Sequence, residues 1–225
     1  SSQSRGLGDV YKRQPLYRSN FAKNKSDEKW LKRAASRMDS KDCSDDPLFV
    51  ELVEALHSLS PSADSAYYLG ILKDKAGNTT EAIAFYEESL TLESDAYRKA
   101  EILYKIAAKL KKRGLKSQAR KYANQALLNK PSMGKAYILI AGLYAESANN
   151  CGNNQFEKQA VYWLAAQTAR RAAVVDPSLK KTSQKLEASY AARAPSKTDI
   201  FTQGKEGEVI SFDCWIRSSV TVPNL

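Results

Sequence analysis

The chain has little of what metal centres and nucleophilic active sites are made from. His57 is the only histidine among 225 residues, and the three cysteines, Cys43, Cys151 and Cys214, lie far apart with no CxxC or comparable spacing. Zinc needs several thiolate or imidazole ligands at close spacings, so no zinc site can be assembled and no cofactor is expected. Nor can a nucleophile, a base and an orienting group be matched, which argues against catalysis. No stretch approaches the roughly 18 uninterrupted apolar residues of a membrane span. Single, buried, inert thiols are the expected state of the cysteines. In an oxidising compartment one pair could bridge instead.

Charge of one sign is in excess: 35 Lys and Arg face 25 Asp and Glu, a formal balance of +10. Such a balance suits nucleic acid, anionic lipid or acidic peptides, but solvated lysines on a helical surface produce it as well. The densest basic run is Lys105, Lys109, Lys111, Lys112, Arg113, Lys116, Arg120 and Lys121. Helical neighbours recur every three or four residues, so this run is spread around its helices instead of forming one stripe. It also lacks the interleaved aromatics on which bases stack, and no nucleic-acid partner is expected.

What the chain does have is a spaced pattern that occurs twice: Leu69, Gly70, Gly77, Ala82 and Tyr86, then Ile106, Ala107, Gly114, Ala119, Ala126 and Pro131. Two antiparallel helices joined by a short turn approach closely only where side chains are small, which explains Gly and Ala at the contact points. Pro131 then ends the second helix of its unit, lacking an amide proton. A third unit begins near Gly134, with Tyr137, Ile140, Ala141 and Tyr144 on one helix and Ala165, Ala169, Ala172 and Pro177 marking the next. Between these helices sits an Asn- and Gly-rich insertion from Glu146 to about Glu157. It reads either as a functional surface or as a plain solvated loop. With almost no carboxylates besides Glu146 and Glu157, it is a poor calcium site.

The pattern resembles the tetratricopeptide repeat, whose period is about 34 residues. The resemblance implies an all-α fold, a right-handed superhelical solenoid of antiparallel helix pairs, in which stacked neighbours complete a core no single unit can bury. Helices are predicted at about 27–38, 47–59, 63–76, 79–93, 96–113, 116–129, 133–148, 156–175 and 179–193, the first capped by Ser26. In such an array Cys43 and Cys151 belong to well-separated units and are not expected to pair. After Pro195 the period changes to two: Ile210, Phe212, Cys214 and Ile216 alternate, Arg217-Ser218-Ser219 reads as a turn, and Val220 and Val222 begin a second run. A small C-terminal antiparallel β element is expected, joined by a short strand at about 199–202.

From about Trp30 to Val222 the chain also resembles one repeat family of Bacteroidetes envelope proteins. The resemblance rests on Asp46-Pro47-Leu48-Phe49-Val50, on Asn150-Cys151-Gly152-Asn153, on Tyr162-Trp163 with Asp176-Pro177-Ser178, and on Gly204-Lys205-Glu206-Gly207 with Cys214-Trp215-Ile216. Members are typically longer, which implies a C-terminal fragment and a periplasmic or cell-envelope location. Residues 1–14 look like a linker-derived leader, 15–46 a polar segment with one helix, 47–195 the solenoid and 196–225 a β-hairpin cap. Without Arg5, Lys12, Arg13 and Asp9 of that leader, 32 basic residues face 24 acidic ones.

In this fold the first helix of each unit lines the concave face. The groove slots hold Asp64, Tyr67, Ile71 and Asp74, then Glu101, Tyr104, Ala108 and Lys111, then Lys135, Ile138, Gly142 and Ala145. This mixture suits an extended peptide or a helix gripped by aromatic contact and peripheral charge. Equally, Tyr67 and Tyr104 pack against neighbouring helices. Repeat proteins that clamp acidic tails place Lys and Asn where Tyr67 and Ile71 stand, so that clamp is unsupported. The expected function is a non-catalytic scaffold for a protein or peptide partner. Alternatives are an accessory domain of a larger envelope protein or enzyme, and an oligomerisation module using the C-terminal sheet; oligomeric state is open.

Overall fold

A computed structural model describes residues 15–225. The leader reading, 1–14, lies outside the described residues. The chain divides into two compact units, one ending at Ser94 and the other covering Asp95–Leu225.

The first unit contains α1 (15–24), α2 (Glu28–Ser40), α3 (Pro47–Leu59), α4 (Ala63–Lys75) and α5 (Thr79–Leu92). Helix starts are written in short polar side chains that satisfy otherwise unpaired amides. Asp27 accepts from the Trp30 amide, Asp46 from Leu48 ahead of Pro47, and Ser62 forms a capping box with Ser65. The cap of α2 is thus Asp27, where the sequence suggested Ser26. The segment 15–46 carries two helices where one was expected, α1 being tied down by an Arg37–Tyr17 hydrogen bond of 3.2 Å and an Arg18–Asp46 ion pair of 3.5 Å.

Helix α2 packs on α3 and α4 on α5, burying Leu31, Ala35, Phe49, Leu52, Leu56, Ala66, Ala82 and Tyr86 almost completely. Gly70 is needed by the α4–α5 contact itself. A Cβ there would stand 2.4 Å from the Tyr86 ring, closer than atoms can approach. Gly77 makes the turn between the two helices at φ 84°, a conformation that favours glycine.

The second unit contains α6 (Ala96–Lys112), α7 (Lys116–Asn129), α8 (Gly134–Ala145), α9 (Gln155–Val175), α10 (Lys180–Ala191), α11 (Lys197–Gln203), β1 (Val209–Phe212) and β2 (Ser218–Thr221). Consecutive helices pack as α6–α7, α8–α9 and α9–α10 hairpins, and α6 also touches α8. The core is built from Leu103, Ile106, Ala107, Leu110, Ala119, Ala123, Ala136, Leu143, Ala160, Val161, Ala165 and Ala169. Small residues recur on α7 and α9 because these second helices are the ones that neighbours approach.

The C-terminal element departs from the sequence reading in two places. Residues 199–202 belong to α11 and not to a strand, because Ser196 and Asp199 form a reciprocal capping box that starts a helix after Pro195. The hairpin turn is at 213–216, so Ser218 and Ser219 lie in β2 opposite Phe212 and Ser211. Arg217, at φ 43°, closes the turn. The strands are antiparallel, and Gly207 and Glu208 extend the pairing through hydrogen bonds of 3.1 and 2.8 Å with Val222. Ile210, Phe212, Ile216, Val220 and Val222 face inward, and both strands pack on α9.

Candidate functional site

Within the second unit, α6 and α8 lie side by side and form a cleft of about 480 Å³, lined by Tyr104, Ala108, Lys111, Lys112, Ile138, Leu139 and Glu146. Four residues expected from their repeat slots therefore meet in one place: Tyr104, Ala108, Lys111 and Ile138. The floor is apolar and the ends are charged. Lys111 reaches across α8 to Glu146, Nζ to carboxylate 2.9 Å. Gly142 makes that path possible, since a Cβ there would stand 2.8 Å from Lys111 Nζ. Lys116 Nζ donates to the Glu146 carbonyl at 2.9 Å, fixing the same end from α7.

Beside the cleft, Glu101 pairs with Lys135 at 2.6 Å and Lys130 at 3.8 Å. Lys135 Nζ stands 4.5 Å from the Tyr104 ring centroid, a cation–π distance. These pairs are solvent-facing and contribute little to stability; Glu101 holds Lys135, the cation that stands by the Tyr104 ring. Ala145 is half-buried at the end of α8.

The slots of the first unit behave differently. Tyr67 is 4% exposed and Ile71 1% exposed, so neither offers a surface. The Tyr67 ring lies 5.6 Å from Tyr68 and 5.8 Å from Tyr86, packing on its neighbours as the alternative reading allowed. Burial pushes the Tyr67 phenol far above its usual range, with Asp39 adding to the effect, and burial likewise pushes Tyr68 up to about 12. Asp64 and Asp74 remain half-buried on α4.

The insertion after α8 is held in place. Its residues make a single 3-10 turn, Ala148–Asn150, and Asn154 caps α9 while the Asn153 amide donates to the Glu157 carboxylate at 2.7 Å. Cys151 is bonded to Cys214, Cα to Cα 5.4 Å. This corrects the expectation of single thiols for that pair; Cys43 remains a free, half-buried thiol. Around the bond, Arg120 donates to the Ile216 carbonyl at 2.5 Å and the Trp215 carbonyl at 3.1 Å. The guanidinium also lies 4.9 Å from the Trp215 ring, and the Trp215 indole donates to Ser147 Oγ at 3.0 Å. Arg120, from the basic run, thus holds the tail.

Sequence reasoning missed Glu146, Lys112 and Leu139 as cleft residues and the Cys151–Cys214 pair. Glu146 and Cys151 lay in the insertion, whose course the repeat template does not describe. Tyr190 also approaches Glu146: burial first, and then the Glu146 charge, raise its phenol. Among the described residues no helix is long and apolar enough to cross a membrane.

No protein-family model matches the chain. The chain is 30% identical over 112 residues to photosystem I assembly protein Ycf3 of Cuscuta gronovii, covering 46% of this chain and 67% of that protein. It is 34% identical over 110 residues to the protein of the same name from Cyanophora paradoxa, covering 45% and 64%. A crystal structure of MamA protein superposes with a TM-score of 0.52 at 18% identity, covering 80% of this chain and 90% of that one. A second MamA structure gives 0.50 at 18% identity, covering 75% and 94%. These relatives are built from the repeat whose small-residue slots Gly70, Ala82, Ala107, Ala119 and Ala126 occupy here. The chain therefore belongs to the tetratricopeptide-repeat proteins, an all-α array of helix pairs followed here by a two-stranded antiparallel sheet.

Proposed function

We propose that the chain is a non-catalytic protein-binding scaffold and that the α6–α8 cleft grips an extended peptide segment of its partner. The observation that carries this reading is the convergence of Tyr104, Ala108, Ile138 and Leu139 on one open floor of about 480 Å³ with Lys111, Lys112 and Glu146 at its ends. An apolar floor supplies area, and charges at the ends set register and orientation. The name of the Ycf3 relatives, assembly proteins, is consistent with a role in which one protein holds another.

The resemblance to Bacteroidetes envelope proteins supports an envelope location. The Cys151–Cys214 bond supports it independently, because disulfides persist in oxidising compartments.

Panning a random peptide library against the intact chain tests the reading. Selected peptides should lose about tenfold or more of their affinity for Ile138→Asp and for Tyr104→Ala. Equal affinity for both folded variants would remove the cleft from the account.

A further inference from the structure

The C-terminal hairpin is too small to hold itself. Its strands are four residues each, and an isolated two-stranded sheet is marginal in water. Its order is drawn from docking on α9 and from three attachments near the turn: the Cys151–Cys214 bond, Arg120 on two backbone carbonyls, and Trp215 on Ser147. The bond joins positions 63 residues apart, so it removes a large part of the undocked tail's freedom. Helix α9 also packs against α8 and α10, contacts that the tail does not supply.

We propose that Cys151–Cys214 is a redox latch: a dithiol reductant opens it, and residues 205–222 then leave α9 while the helices stay folded. The two sulfurs differ in access, Cys151 being 1% exposed and Cys214 half-buried. A thiolate of the reductant therefore attacks Cys214 Sγ, the S–S bond breaks, and its electron pair stays on Cys151 Sγ, which takes up a proton. The second thiol of the reductant then attacks the mixed disulfide and releases Cys214 as a thiolate, which is protonated in turn. The dithiol ends as a disulfide, having given two electrons to the protein. The freed tail exposes Ile210, Phe212, Ile216, Val220 and Val222, a sticky apolar edge absent from the latched state.

The inference stands apart from the peptide-binding reading and is tested without a ligand. The full chain is prepared in a Cys43→Ser background, oxidised, and followed by amide hydrogen exchange with and without dithiothreitol. On reduction, protection of the Phe212, Val220 and Val222 amides should fall by roughly 30-fold or more, with α6–α9 protection and the helical circular-dichroism signal unchanged. Reoxidation should restore it. The Cys151→Ser plus Cys214→Ser chain should behave as the reduced protein with no reductant present. Unchanged tail protection on reduction would overturn the latch, as would loss of the helical signal together with the tail. Two free thiols persisting after treatment with excess oxidised glutathione would overturn it too.

Discussion

At the scale of single residues, the fold is most sensitive where a missing side chain lets two helices touch. Gly70 is such a place, because the Tyr86 ring occupies the space of its Cβ. Gly70→Ala is expected to cost about 1–3 kcal/mol, the range for overpacking a rigid core, measurable as a lower urea midpoint with an unchanged slope. Tyr67 and Tyr68 give a second test. Their phenols are raised above the ordinary value of 10.0 by burial, so the native state keeps protons that the unfolded chain releases. Stability contributed by the neutral phenols is complete below pH 10 and declines as pH rises above it. Ultraviolet titration should therefore show a subset of the 12 tyrosines that ionise only as the protein unfolds. Ionisation of all of them in one reversible step near pH 10 would contradict the buried ring cluster.

At the scale of elements, helix ends were legible because they are local chemistry. The bounds expected for α3, 47–59, and α7, 116–129, coincide with those observed, and the others shift by a few residues. Caps such as Asp46 and breakers such as Gly77 and Pro131 act on the backbone beside them. The cap of α6 is of this kind: Asp95 accepts from the Arg98 amide at 2.8 Å. Asp95→Ala should lower stability by about 1 kcal/mol, read from thermal unfolding. The end of the chain was less legible. Ile200 and Phe201 look like strand residues, and the Ser196–Asp199 capping box overrides them and starts a helix. Which cysteines pair was not legible for a different reason: Cys151 and Cys214 are 63 residues apart, and packing of the tail on α9 brings them together. Arg120 belongs to the same junction, and Arg120→Met should loosen the 213–217 turn, seen as faster exchange of the Arg217 amide, which bonds Cys214 O at 3.1 Å.

At the scale of the whole molecule, repeat slots name a helix face but not what lies over it. In the second unit the rule named Tyr104, Ala108, Lys111 and Ile138, and these four line a common cleft. In the first it named Tyr67 and Ile71, whose side chains are enclosed; a large ring in such a slot can fold onto its neighbours, here Tyr68 and Tyr86. Glu146 escaped notice because it stands where α8 gives way to the insertion, and the template ends there. Charge composition was informative only after positions were known. Lys111 pairs with Glu146 and Arg120 holds the tail, so these two members of the basic run are engaged within the chain.

The most direct test of the binding account is chemical-shift mapping of the isotopically labelled chain with a library-selected peptide. The account predicts that the largest changes fall on Tyr104, Ala108, Ile138 and Leu139, with Lys111→Glu weakening the complex. Changes centred instead on the outer surfaces of α7 and α9 or on the β1–β2 hairpin, with the cleft residues unmoved, would contradict it.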